Sequence, residues 1–367
     1  MKTKGKIDYY LLFVVLALLG FGLTSLYSAS TVESYKVFNN TSSYIIRQIT
    51  QGLLLGLLGM FICSKIDYRL WKKYLGVLIA ISLSLLLAVK LSHYGQTFNG
   101  ASRWLDIGPV SFQPSELAKL VIIFYLAGWA EKKRHEIKDF TYGVLPTLVI
   151  ITLFAGLILW QPDFGTMLVI LSVSFGMLFA SGIDWKYFFW SLIAGAIILA
   201  TFIHFEPYRA RRVTTFFNPD FDPQGIGYHI NQALIAIGSG GLWGYGYGLS
   251  RQKHSYLPEA MTDSIFAITA EELGFVRALL IIVLFSIFAL KGYKIAKNAP
   301  DTFGRLVAFG ITLWISFQAL INIAAMVSLV PLTGIPLPFF SYGSSALILN
   351  LCAIGILFNI SHKSKDV

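Results

Sequence analysis

The sequence predicts an all-α integral membrane protein with ten transmembrane helices, both termini cytoplasmic and a long extracytoplasmic loop between helices 7 and 8. Three observations carry this prediction. Hydrophobic residues make up 56% of the 367 positions and charged residues only 13%, whereas a soluble domain carries about 25% charged residues. A mean hydropathy of +0.67 excludes a single water-soluble core, and the abundance of Leu, Ile and Phe excludes disorder. Ten spans of about 20 residues would use roughly 200 positions, close to the apolar share of the chain. The third observation is where the net charge of +10 falls. In a soluble protein that excess would suggest a polyanionic partner such as nucleic acid.

Taken in order, apolar stretches of spanning length lie near 9–29, 46–64, 72–91, 115–131, 143–160, 163–181, 186–205, 264–290, 304–326 and 344–360. The first follows Lys2, Lys4 and Lys6. Its apolar region is too long for a signal peptide, so it reads as an uncleaved first helix. The run 143–181 is too long for one span, and Gln161-Pro162-Asp163 provides the sharp turn that divides it. The segments 1–8, 65–73, 132–142, 182–186, 291–305 and 361–367 alternate along the chain and hold 18 of the 29 basic residues. Positive loops face the cytoplasm, so the charge excess sets orientation and the nucleic-acid reading falls. Cys63 and Cys352 sit in or beside spans and read as small packing residues, with no disulfide framework and no zinc site. The whole of 1–367 reads as one polytopic domain.

The polar, Gly- and Pro-rich segments all emerge on the opposite, outer side: 92–114, 161–163, about 206–262 and 327–343. Long connections of this kind tend to carry sites. Pro114 and Ser115 start a helix on which Glu116 and Lys119 are three residues apart, close enough to pair. They read equally as an internal salt bridge or as substrate contacts, because ionisable groups at membrane depth are costly and face a polar interior. Arg103 and Trp104 suit interfacial anchoring or a sugar stacked beside a phosphate. Arg209, Arg211 and Arg212 run against the inside bias, and guanidinium groups fork onto phosphate oxygens. The glycines of 238–248 permit tight turns against lipid or substrate. Asp263 lies at the start of the eighth span, where it either caps the helix or does chemistry.

At this point the residues carry a family resemblance. Asn99-Gly-Ala-x-Arg-Trp, Gln113-Pro-Ser-Glu-x-x-Lys119, Gln161-Pro-Asp-x-Gly-Thr166, Asp222-Pro-x-Gly-x-Gly-Tyr228, Tyr256-Leu-Pro-Glu-x-x-Thr-Asp263, Glu271-Glu-Leu-Gly274 and Gly334-Ile-Pro-Leu-Pro-Phe-Phe-Ser-Tyr-Gly343 resemble the SEDS proteins FtsW, RodA and SpoVE. The resemblance spans nearly the whole chain in the right order. It implies ten transmembrane helices in the bacterial cytoplasmic membrane and an active site facing outward. It also implies peptidoglycan glycosyltransferase activity that polymerises lipid II, with a class B penicillin-binding protein and other division or elongation proteins as partners. Asp263 matches the family's essential aspartate, Glu116 and Lys119 its intramembrane ion pair, and Arg103 and Trp104 its outer-loop pair. Gln252-Lys253 ahead of Tyr256 is closer to FtsW and SpoVE than to RodA.

Four departures stand out. Met261 replaces a usual His, Ser264 a usual Phe and Ser344 a usual Gly, and Arg277 lies inside the eighth span, where it needs a partner such as Glu271, Glu272 or a lipid headgroup. The expected chemistry uses Asp263 as general base or metal ligand, with Arg209, Arg212 and Lys253 meeting a pyrophosphate. A divalent cation, Mg or Mn, is a candidate cofactor. Glu259 and Ser341 join the substrate-binding set through their motifs. Two alternatives stay open: a flippase for lipid-linked precursors, with Glu116, Lys119, Glu272 and Arg277 along a polar path, and a catalytically impaired scaffold of the division or elongation complex.

Overall fold

The structure is a computed structural model that describes residues 8–91, 95–98, 101–107, 110–134, 136, 139–205, 207–218 and 221–364. Lys2, Lys4, Lys6, Lys138 and Lys365 of the basic segments, and Asn99 and Gly100 of the first motif, lie outside these residues.

Helix α1 (Tyr9–Phe38) starts where Asp8 accepts from the Tyr10 and Leu11 amides at 3.0 and 3.1 Å and ends at Asn39 in the left-handed conformation. Helix α2 (Ser43–Arg47) runs through a π-helical turn (Gln48–Leu53) into α3 (Leu54–Lys65). After the short α4 (Arg69–Lys73) come α5 (Leu75–Leu91) and a sheet of β1 (Gly95–Phe98), β2 (Ala101–Ile107) and β3 (Val110–Phe112). Then follow α6 (Pro114–Lys132), a π-helical turn (Phe140–Val144) leading into α7 (Leu145–Trp160), α8 (Phe164–Ser181) and α9 (Trp185–Phe205). The last elements are α10 (Pro207–Phe217), α11 (Ile226–Ser239), α12 (Ile265–Asn298), α13 (Thr302–Met326) and α14 (Ser344–Lys363).

Among the described residues, seven helices are long and apolar enough to cross a membrane: Tyr9–Phe38, Ser43–Lys65, Phe140–Trp160, Phe164–Ser181, Ile265–Asn298, Thr302–Met326 and Ser344–Lys363. The other three expected spans fall on α5, at 17 residues, on α6, which carries Glu116, Lys119, Glu131 and Lys132, and on α9. The chain is thus a helical membrane protein.

Helix α13 is the centre of the bundle, packed against α6, α8, α12 and α14, with Trp314 fully buried. Apolar lipid tails supply no hydrophobic drive between helices, so close packing and internal hydrogen bonds hold such a bundle. The α3–α14 contact shows this: a Cβ at Gly56 would stand 2.6 Å from Leu351, and one at Gly355 would stand 2.3 Å from the Met60 carbonyl.

Three expectations need correction. The all-α expectation is incomplete, because within 92–114 β1, β2 and β3 form an antiparallel sheet in that order, with Gln96 opposite Trp104 and Leu105 opposite Phe112. The hairpin signal Asn99-Gly100 is present in the sequence and is strong when it lies between strand-like runs. The connection 206–262 is not one irregular loop but carries α10 and α11. The glycines of 238–248 do make tight turns, with positive φ at Gly241, Gly244, Gly246 and Gly248, but the close approach they permit at Gly240 and Gly244 is to the chain's own α12.

That last contact explains a break in α12. Gly274 has φ 79° and ψ 174°, so the helix hydrogen-bond ladder stops there and leaves backbone groups without helical partners. The glycine loop supplies them: Tyr245 and Gly246 amides donate to the Glu271 and Glu272 carbonyls at 3.1 and 3.0 Å, while Phe275 and Val276 amides donate to Gly241 and Leu242 at 2.9 and 3.3 Å. A Cβ on Gly244 would stand 2.1 Å from the Glu272 carbonyl oxygen, so only glycine permits the approach. Arg277 joins the same clasp by donating from Nη1 to the Trp243 and Leu273 carbonyls at 3.0 and 3.2 Å. Its partners are therefore backbone oxygens and not Glu271 or Glu272.

Candidate active site around Asp263

The clasp delivers the chain into a tight turn at 258–264. Thr262 and Ser264 amides both donate to the Glu259 carbonyl at 3.1 Å, with Glu259 itself at φ 50°. A non-glycine residue in that conformation marks stored strain, which concentrates at functional sites. Ser341 braces the turn from behind: its hydroxyl donates to the Thr262 carbonyl at 2.6 Å and accepts from the Leu337 amide at 2.8 Å. The next amide, Tyr342, donates to the Met261 carbonyl at 2.9 Å.

Asp263 sits between this turn and α12. The N-cap of α12 is Ser264, which makes no side-chain capping bond, so helix capping does not account for the Asp263 carboxylate. It lines a cavity of about 60 Å³ together with Arg212 from α10, His229 from α11, Asn322 from α13 and residues 332–335. A Cβ on Gly334, whose φ is 70°, would stand 3.4 Å from Asp263 Oδ2 and 3.8 Å from Arg212 Nη1. The carboxylate and the guanidinium therefore flank a single point, and the absence of a side chain at 334 keeps that point open. Arg212 is oriented by donating from Nη1 to the Leu332 carbonyl at 3.1 Å.

Burial pushes the Asp263 carboxyl up to about 6, helped by the nearby Glu259 charge and opposed by Arg212 and Arg103. A carboxylate so placed is a base matched to near-neutral pH. His229 is driven the other way, down to about 4, chiefly by burial. Its Nε2 lies 2.7 Å from Ser264 Oγ, and that hydroxyl donates to the Pro258 carbonyl at 2.8 Å. The imidazole is thus neutral and donates from Nε2. Ser264, which departs from the family pattern, has become the group that ties α11 to the Asp263 turn.

The remaining candidates divide. Arg103 on β2 donates from Nη2 to the Pro162 carbonyl, and its charge reaches Asp263. Trp104 follows it on β2, half-buried. The Arg209 side chain lies outside those described, although its backbone is on α10. Lys253 does not face the cavity. Its Nζ is buried against Ser28 Oγ at 2.9 Å, the Gly248 carbonyl at 2.6 Å and Glu272 Oε1 at 3.1 Å, which engages the cation and makes it a member of the clasp instead of a pyrophosphate contact. Glu116 and Lys119 pair at 2.8 Å with both side chains almost wholly buried, and Lys119 also lies over the Trp314 ring at 4.9 Å. Of the two sequence readings, the geometry supports the internal pair.

His229 and Asn322 escaped sequence reasoning. His229 directly follows the Asp222–Tyr228 motif on an amphipathic helix and carried no signal of its own. Asn322 sits in a spanning helix, where a buried amide needs an internal partner. That rule was available in the sequence. Among the described residues no three His, Cys, Asp or Glu side chains come together, so a divalent cation would have Asp263 as its one carboxylate in this cavity, beside Arg212.

Fold and site together define a polytopic helical membrane protein with a desolvated, arginine-flanked carboxylate. The chain belongs to the FtsW/RodA/SpoVE family of cell cycle proteins, whose model matches residues 9–366. It is 40% identical over 355 residues to a probable peptidoglycan glycosyltransferase FtsW of Trichlorobacter lovleyi, covering 96% of this chain and 93% of that one. It is also 40% identical over 358 residues to the stage V sporulation protein E of Bacillus subtilis, covering 98% of each. Among solved structures, it is similar to a chain from a peptidoglycan synthase complex that coordinates polymerization and crosslinking, at 29% identity and a TM-score of 0.80, with 97% of each chain covered. The rod shape determining protein RodA of Thermus thermophilus superposes at 28% identity and a TM-score of 0.71, covering 97% of this chain and 96% of that one.

Proposed function

We propose that the protein is a peptidoglycan glycosyltransferase that polymerises lipid II on the outer face of the bacterial cytoplasmic membrane. The observation that carries this reading is the cavity in which Asp263 and Arg212 flank one open point beside Gly334. The acceptor sugar's 4-hydroxyl attacks the anomeric carbon of the donor. The new glycosidic bond forms as the bond to the pyrophosphate oxygen breaks, and Asp263 takes the hydroxyl proton. Arg212 offsets charge on the departing undecaprenyl pyrophosphate. One displacement without a covalent intermediate inverts the anomeric centre.

The accompanying topology has ten spans, both termini in the cytoplasm and the Asp263 cavity outward, as the basic segments favour. A class B penicillin-binding protein is the proposed partner; the similarity to a chain of a peptidoglycan synthase complex supports that pairing. The test is polymerisation of lipid II by the purified protein with and without the transpeptidase. The wild type is expected to make glycan strands and Asp263→Ala none, and full glycan output from Asp263→Ala would overturn the assignment of the base.

A further inference from the structure

The geometry points to Gln318 and Asn322 of α13 as positioning residues that join the buried Glu116–Lys119 pair to Asp263. Resting on the reading of Asp263 as the base, this assigns the ion pair a role at the site that direct contact cannot give it.

Gln318 and Asn322 are four residues apart, so they share one face of the helix, one turn above the other. They are 1% and 2% exposed. Gln318 Oε1 accepts from Lys119 Nζ at 3.0 Å and from Trp314 Nε1 at 2.9 Å. Two donors on that atom fix the amide orientation, and Nε2 is thereby aimed at the Pro336 carbonyl, 2.9 Å away. Asn322 is fixed by the opposite logic. Its Nδ2 meets two carbonyls, Asp263 at 2.8 Å and Ile335 at 2.7 Å, and only an NH2 group can serve both.

The two amides thus grip consecutive carbonyls of one segment. Residues 331–337 form neither helix nor strand, and their buried carbonyls need partners from elsewhere. Pro331 and Pro336 lack the amide protons that would let this stretch join a sheet. Gly334, within this segment, borders the Asp263–Arg212 point, and the Leu332 carbonyl holds Arg212. One end of the chain of contacts is an ion pair in α6. The other end holds the Asp263 backbone and the strand of chain that orients its arginine.

The test uses substitutions that keep shape and remove donors. Gln318→Glu retains an acceptor for Lys119 and Trp314 but cannot donate to Pro336, and Asn322→Asp loses both of its donations. Each is expected to lower kcat of lipid II polymerisation by about tenfold or more while KM changes by less than about twofold, the signature of a lost transition-state alignment. Lys119→Met should lower kcat in the same way. Its combination with Asn322→Asp should be far less than multiplicative, because members of one network couple. Should Asn322→Asp fail to fold in detergent, Asn322→Ser, which keeps one donor, is expected to retain an intermediate kcat. Wild-type kcat in Gln318→Glu or in the Asn322 variant, or losses that multiply in the double variant, would overturn the coupling. A wild type that makes no glycan, or an Asp263→Ala variant that makes it fully, would instead overturn the functional reading beneath it.

Discussion

Asp263 and Asp301 stand just ahead of two consecutive helices, α12 and α13, at opposite ends of the bundle, and the fold treats them in opposite ways. Asp301 is the N-cap of α13: it accepts from the Gly304 amide at 2.7 Å, the Tyr68 hydroxyl at 2.6 Å and Arg69 Nε at 2.9 Å. Burial works to raise its carboxyl, but these donors outweigh it and hold the group below the usual carboxylate range. Asp263 has the cap position taken by Ser264, its backbone carbonyl tied to Asn322, and its carboxylate in a cavity with Arg212, where the Arg103 charge also reaches it. The first carboxylate is settled by three donors and serves structure. The second is left poised near neutrality, a state that costs stability and suits the base role proposed for it.

Removing each charge in turn tests this contrast most sharply. Asp263→Asn, which keeps shape, should lower lipid II polymerisation by about 10² to 10⁴-fold, the range that general-base catalysis contributes, with the melting temperature in detergent unchanged or raised. Asp301→Asn should do the reverse. It weakens a cap and two charge-assisted hydrogen bonds, so the folded state should lose about 1–2 kcal/mol, read as a lower melting temperature, while kcat changes by less than about twofold. Equal effects of the two variants on either measurement would erase the distinction.

Both aspartates look alike in sequence, each a few residues ahead of an apolar run, and spacing alone left capping and chemistry open for Asp263. The element types were legible because membrane spans announce themselves by length and polarity. The Glu116–Lys119 pair was legible because spacing along one helix is local information. Lys253 was not, because its partners Ser28 and Glu272 come from distant helices and only the fold reveals that the cation is already engaged. The glycine loop misled for a related reason. Gly240 and Gly244 mark a close backbone approach, and the break at Gly274 that the loop embraces lies some thirty residues on. His229 and Asn322 reach Asp263 through tertiary contacts: nothing within α11 marks His229, and the position of Asn322 in a spanning helix calls for an internal partner without saying which.

The smaller prediction concerns where the site titrates. If Asp263 must be ionised to accept a proton, kcat/KM should rise with pH through a midpoint of about 6 and then level off, since burial is what raises this carboxyl. His229, pushed down to about 4, stays neutral across that window and cannot supply the limb. The two neighbours act with opposite sign: Glu259 raises the Asp263 carboxyl and Arg212 lowers it. Glu259→Gln should therefore move the midpoint down and Arg212→Gln should move it up, each by on the order of one pH unit. Stability follows with its own sign. A carboxyl raised in the folded state contributes stability that is fully present below about 4 and is lost as pH rises through about 6. At 1.4 kcal/mol for each unit, the loss is at most about 3 kcal/mol, and solvent screening in the open cavity reduces it further. Melting curves of the wild type and Asp263→Asn should accordingly converge at pH 4 and separate at pH 7.5, with the asparagine variant the more stable. Midpoints that shift in the same direction in both neighbour variants, or curves that stay parallel with pH, would place the titrating group somewhere other than Asp263.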